Sequence, residues 1–327
     1  MTRSLTICSE RWPLRQTFTI ARGSKTEAVI VLVSITENGF TGRGECVPYN
    51  HYGETATGVI AQIENLRSFI EQGGERAALQ SRITAGAARN AIDCALWDLE
   101  AKQQGKRAWT LAGTAPPVPT SCAYTLSLNT VADMGQAAWQ HRDKALLKIK
   151  LGPERPLACI EAIRKQAPDP KLIIDANESW NPQLLGELIQ PLHDLGVSLL
   201  EQPLPAGNDS VLADFPHQIA IAADESCHTR DDLDHIARHY DVINIKLDKS
   251  GGLTEAMLLR EQAMAMGLAI MVGCMVGTSL SMAPAVLLTP GAIIVDLDGP
   301  LLLADDREYG LDYQEQMITP PLAILWG

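Results

Sequence analysis

Five apolar runs decide how this chain is read: ALLKIK (145–150), KLIID (171–175), VSLLE (197–201), IAIAAD (219–224) and DVINIK (241–246). Each ends on a charged residue, in turn Lys150, Asp175, Glu201, Asp224 and Lys246, at intervals of 22 to 26 residues. That interval suits one strand plus one helix. Further strand candidates at 118–125, 268–272 and 292–296 bring the total to eight. Helical patterns such as Pro156 to Lys165 and Thr254 to Met266 fill most of the gaps. Eight such units predict a closed parallel α/β barrel, whose C-terminal strand ends all face one site. A doubly wound open sheet is the alternative. It would want a glycine-rich phosphate loop after its first strand, and none is present.

Residues 1 to 112 read differently. EAVIVLVSIT (27–36) is rich in β-branched residues and is followed by Asn38-Gly39 and FTGRGECVP, a hairpin signal. Beyond Thr55 the pattern turns helical, and AARNAIDCALWDL (87–99) carries a stripe of Ala88, Ala91, Ile92, Ala95, Leu96 and Leu99. Strands followed by helices predict an α+β module. Ala115-Pro-Pro-Val-Pro119 breaks the chain before the alternating region. The expected division is therefore 1–112, 113–305, and a segment 306–327 that returns to the first module.

At 327 residues the chain can bury a large core. It has no apolar run long enough to span a membrane, and MTRSLTICSERW lacks the apolar region of a signal peptide. A net charge of −12 argues against a nucleic-acid partner. The seven cysteines are odd in number and contain no C-x-x-C pair, which fits reduced thiols in a cytoplasm. Composition does not fix whether the chain forms a homo-oligomer.

An aspartate at one strand end is most often a helix cap or a turn residue. Three carboxylates at three successive strand ends are costly near a buried mouth unless a cation neutralises them. Oxygen ligands alone point to Mg²⁺, with Mn²⁺ as a substitute, rather than zinc. Lys148 and Lys150 share a strand face; lysines so placed also occur on solvated edge strands. A lysine acting as a base must be neutral, and a nearby cation and a second lysine both lower its pKa.

Lys148-Ile-Lys150, Asp175, Glu201, Asp224 and Lys246, set in DANESW, EQPLP, ADES and NIKLDKSGG, resemble the enolase superfamily in its muconate lactonizing enzyme subgroup. The likeness covers essentially the whole chain. It implies a (β/α)7β modified TIM barrel with an N-terminal α+β capping domain. It also implies Mg²⁺ on Asp175, Glu201 and Asp224, and Lys150 and Lys246 as acid and base around an enolate. Within the subgroup, Asp296-Leu-Asp298 is similar to the acidic pair by which dipeptide epimerases hold a substrate ammonium. Its alternative is a plain turn at Asp298-Gly-Pro. The resemblance further assigns substrate contacts to Lys148, Thr125 and the Cys274-Met-Val276 segment, which otherwise reads as a glycine-rich turn. Arg22 would pair with a side-chain carboxylate, or be an ordinary surface arginine. The expected reaction inverts the C-terminal residue of L-Ala-D/L-Glu by 1,1-proton transfer. N-acylamino acid racemisation, cycloisomerisation, or a dead barrel used as a scaffold are the alternatives. His51 and His228 are expected to be solvated or structural.

Overall fold

The structure is a computed structural model describing residues 3–327, the side chain of Glu315 excepted. Strands β1 (Ser4–Ile20), β2 (Gly23–Glu37) and β3 (Phe40–Cys46) form an antiparallel sheet. Asn38 and Gly39 join β2 to β3 with φ of 53° and 83°. Two positive φ angles match the turn twist to the twist of the strands. Strand β1 had no sequence signal. Leu5 and Phe18 are buried and Ile7, Trp12 and Leu14 half-buried between exposed neighbours, but the alternation changes phase and the register shifts between Pro13 and Phe18, which breaks the pattern.

Helix Ala87–Gln104 crosses beneath this sheet. Gly42 and Gly44 permit the close approach, since a Cβ on either would lie 2.1 Å from the carbonyl oxygen of Ala95 or Ala91. Every residue from Ala87 to Leu99 is buried, far more than the predicted stripe. The other side of the helix meets the barrel, where Arg89 donates to Ser250 O at 2.6 Å and Asp93 accepts from Thr254 N at 2.9 Å.

The second sheet has eight parallel strands, β5 (Tyr124–Leu126), β6 (Leu146–Lys150), β7 (Lys171–Asp175), β8 (Val197–Glu201), β9 (Ala220–Ala223), β10 (Val242–Ile245), β11 (Ala269–Gly273) and β12 (Ile294–Asp296). The barrel expectation is met. The ring closes through Ala123 N to Val295 O at 2.8 Å. The first strand is shorter than expected, because β4 (Thr120–Ser121) turns away to pair with β13 (Met317–Ile318). Past β12 the next helical element is a single turn, Gly299–Leu302, in place of a full barrel helix. The tail then reaches back to the first sheet: Arg43 donates to Leu325 O at 2.7 Å, and Gly327 N donates to Asp98 at 2.7 Å.

One apolar side chain per strand plugs the lumen: Ala123, Leu146, Ile173, Leu199, Ala222, Val242, Met271 and Ile294. Side chains two residues further along a strand return to the same face. That rule puts Thr125, Lys148, Asp175, Glu201, Asp224, Asn244 and Asp296 directly above the plug, and Lys150, Lys246 and Asp298 one step higher. The polar mouth is thus fixed by the apolar floor. Among the described residues, no helix is long and apolar enough to cross a membrane.

Candidate active site

The three carboxylates meet. Asp175, Glu201 and Asp224 are all buried and offer oxygens within 4.8 Å of one another. Lysines surround them. Lys148 Nζ lies 3.3 Å from Asp175, 2.7 Å from Glu201 and 2.6 Å from Asp296. Lys150 Nζ lies 2.5 Å from Asp175, and Lys246 Nζ 2.5 Å from Asp224. Lys249, which the sequence reading passed over, lies 2.6 Å from the other oxygen of Asp224. The short helix Leu247–Ser250 turns it back under the strand end, so the spacing of Lys246 and Lys249 was its only signal.

These contacts set the charge states. Burial works against the anions, but Lys150 and Lys148 hold Asp175 below its ordinary range, and Lys246 and Lys249 do the same for Asp224. Glu201 goes the other way, pushed up to about 7 by burial and by Asp175. Burial also opposes charge on Lys246, yet Asp224 at contact distance raises it above the usual lysine value. The expected lowering is therefore not seen in these surroundings, because the carboxylates themselves serve as the lysine's counter-ions.

The donor set fits a hard divalent cation. Glu201 Oε2 and Asp224 Oδ1 are buried and accept no hydrogen bond, although ammonium groups approach them. Buried carboxylate oxygens left this way gain from a cation that binds oxygen alone.

Above the carboxylates opens a cavity of about 500 Å³, lined from the barrel by Thr125, Lys148, Lys150, Asp224, Lys246, Asp296 and Asp298. Lys150 and Lys246 stand on β6 and just past β10, four strands apart in a ring of eight, and so on opposite sides. Asp298 is both a turn residue and a cavity residue. It caps the last helical turn, with Leu301 N donating to its carbonyl at 2.9 Å, while its carboxylate accepts from Thr125 N at 2.6 Å. Burial and then Asp296 push it up to about 7. Cys274, Met275 and Val276 line a further wall.

The cap supplies the roof: Phe18, Ile20, Arg22 and Lys25 from the β1–β2 hairpin, and Tyr49, His51 and Tyr52 from the loop after β3. Arg22 does not stand free. It is engaged by Glu178, Glu225, Tyr49 and the Asn177 carbonyl. Lys25 was not anticipated. Its ammonium lies 5.9 Å from the Phe18 ring centre and has no ion-pair partner among the described residues. Burial, then Lys150 and Lys246, lower it to about 8. His51 contacts Glu178 at 2.7 Å, and His228 packs edge-on against Tyr52 with 4.7 Å between ring centres.

Residues 2–113 match the mandelate racemase / muconate lactonizing enzyme N-terminal domain, and residues 131–323 match the enolase C-terminal domain-like family. The L-Ala-D/L-Glu epimerase of Escherichia coli K12 is 46% identical over 95% of this chain and 98% of its own. An N-acetyl-D-glutamate racemase of Pseudoalteromonas is 44% identical over 91% and 95%. The crystal structure of an enolase family member from Agrobacterium tumefaciens, with homology to dipeptide epimerases and with bound sodium and L-Ala-L-Glu, superposes with a TM-score of 0.98 at 48% identity. It covers 99% of this chain and 100% of that one. With both domain models matched and a polar mouth of this make-up, the chain belongs to the mandelate racemase / muconate lactonizing enzyme group of the enolase superfamily.

Proposed function

We propose that the protein is a dipeptide epimerase that inverts the C-terminal residue of L-Ala-D/L-Glu. The observation that carries this reading is the pair Lys150 and Lys246 facing one another across a cavity whose third wall is the acidic pair Asp296 and Asp298. A planar carbanion can be reprotonated from either side, so inversion needs one acid-base group per face. One lysine takes the α-proton, the other returns a proton to the opposite face, and the roles exchange in reverse. Asp296 and Asp298 hold the N-terminal ammonium. Lys148 faces the substrate carboxylate, with Thr125 and the Cys274–Val276 wall orienting the peptide.

Asp175, Glu201 and Asp224 would hold Mg²⁺, or Mn²⁺ in its place. When bound, the ion stabilises negative charge on the substrate carboxylate as the α-carbon loses its proton. The cation left for an acidic substrate side chain is Lys25, since Arg22 is already engaged by protein carboxylates. The reading keeps the division at residues 112 and 305, with the cap as lid. A cytoplasmic location, supported by seven cysteines without a disulfide, murein-derived dipeptides as substrate source, and a homo-oligomer belong to the same reading.

The test is incubation with L-Ala-L-Glu and L-Ala-D-Glu in D₂O, followed by NMR of the glutamate α-proton. Loss of that signal with appearance of the other diastereomer, abolished by chelation and restored by Mg²⁺, is expected. Unchanged spectra with both dipeptides would remove the proposal. A second reading, racemisation of an N-acylated glutamate, is favoured by one observation. With Lys148 Nζ 2.6 Å from Asp296, one of the acidic pair already has a counter-ion, and the wall tolerates a neutral amide. N-acetylglutamate in the same assay separates the two.

A further inference from the structure

Arg22 makes four polar contacts. Its Nη1 donates to Glu178 Oε2 at 2.9 Å and to Asn177 O at 2.9 Å; its Nη2 donates to Glu225 Oε1 at 2.6 Å and to Tyr49 OH at 3.1 Å. Asn177 and Glu178 follow β7, and Glu225 follows β9. One guanidinium at the tip of the β1–β2 hairpin therefore spans two rims of the barrel.

We propose that Arg22 is a positioning residue: it clamps the β1–β2 turn to the barrel rim, so that Lys25 and Phe18 sit over the cavity, and does not itself bind the substrate side chain.

Charge argues for this assignment. Glu178 and Glu225 already accept from both terminal nitrogens of Arg22, so a substrate carboxylate brought to the same guanidinium would have to displace one of them. Packing argues for it too. Gly23 and Ser24 are exposed, and a Cβ on Gly23 would meet nothing within 4 Å. The tip is thus held by polar contacts rather than by apolar burial. Its other ties to the barrel lie at the base of the turn, where Thr19 N donates to Ser127 Oγ at 2.7 Å and Leu128 N donates to Thr19 O at 3.0 Å. Geometry argues for arginine in particular. A planar fork engages two carboxylates on different loops, which a single ammonium does less well. His51, 2.7 Å from Glu178, ties the second cap loop to the same carboxylate.

The kinetic part of the test rests on the dipeptide reading; the exchange part does not. In the full chain, Arg22→Met and Arg22→Lys are compared with wild type by hydrogen–deuterium exchange over residues 18–25. The same proteins are assayed on L-Ala-L-Glu and on its neutral isostere L-Ala-L-Gln. Arg22→Met is expected to speed exchange of the turn and to raise KM about tenfold for L-Ala-L-Glu, as for partly exposed ion pairs acting together, and by less for L-Ala-L-Gln, whose neutral side chain does not depend on the placement of Lys25. Arg22→Lys is expected to restore this in part. Glu178→Gln, which touches neither dipeptide, is expected to move exchange in the same direction and supplies the comparison if Arg22→Met fails to fold. A loss confined to L-Ala-L-Glu with unchanged exchange would overturn the assignment and return Arg22 to the substrate. If wild type epimerises neither dipeptide, the proposed function falls, and the exchange comparison still decides the clamp.

Discussion

At the barrel end of the cavity the polar side chains are fixed by strand register, whereas at the cap end they come from a hairpin turn and from the loop after β3. Thr125, Lys148, Asp175, Glu201, Asp224 and Asp296 each stand two residues above an apolar lumen residue, and hydrogen-bonded neighbours on both sides prevent slippage. Phe18 and Lys25 are paired across β1 and β2, but there the ribbon is only two strands wide, Arg22 lies in its turn, and the tip is unpacked. On the proposed reading, the chemistry sits where atoms are hard to displace, and the recognition of a variable side chain sits where a few substitutions can alter it without disturbing the barrel.

The largest expected effect tests the rigid end. Lys150→Ala or Lys246→Ala should lower kcat for epimerisation by about 10²–10⁴-fold, the usual range for loss of a positioned acid or base. The D₂O assay adds detail: each variant should still exchange the α-proton of one epimer, and a different one in each case. Full epimerisation by either variant would break the two-face scheme.

Lys25→Met tests the adjustable end. It should cost about 10- to 100-fold in kcat/KM with L-Ala-L-Glu, the range of a buried charged hydrogen bond, and little with L-Ala-L-Gln. Equal losses on both would mean that Lys25 supports the lid rather than reading the substrate.

The smallest expected effect is one of pH. Asp298 has its carboxyl raised from an ordinary 3.8 to about 7, through burial and then Asp296. Its ammonium-binding form therefore appears as pH rises, so KM for a dipeptide should fall through about pH 7. Asp298→Asn should flatten that limb. The stability consequence has the opposite sign. A carboxyl whose pKa is higher folded than unfolded takes up protons on folding, so its contribution is complete below about pH 4 and is lost as pH rises through about 7. Thermal melts of wild type and Asp298→Asn across that window would measure it.

The legible part of this protein was the part governed by short periodicities. Apolar runs ending in Lys150, Asp175, Glu201, Asp224 and Lys246 state strand, face and mouth together, because period two and strand-plus-helix spacing are local properties of the chain. Asn38-Gly39 stated its turn for the same reason, as φ > 0 at two adjacent positions suits few other residues. Strand β1 stayed hidden because its half-covered residues, Leu5 and Ile7 and then Trp12 and Leu14, change phase along the strand and its register shifts between Pro13 and Phe18. Helix Ala87–Gln104 looked amphipathic, yet it is buried nearly all round, since the second surface covering it comes from a distant part of the sequence.

The sequence alone therefore determined the barrel, the carboxylate trio, the flanking lysines and the acidic pair at Asp296 and Asp298. Tertiary structure alone decided who pairs with whom. It gave Arg22 to Glu178 and Glu225, left Lys25 over the cavity with no ion-pair partner among the described residues, brought Lys249 beneath Asp224 and raised Lys246 rather than lowering it. The physical reason is range. Strand register is set by neighbours one or two residues away, whereas a charge responds to every group within a few ångströms, and in this fold those groups come from segments up to 297 residues apart in the chain, as for Arg307 and Glu10.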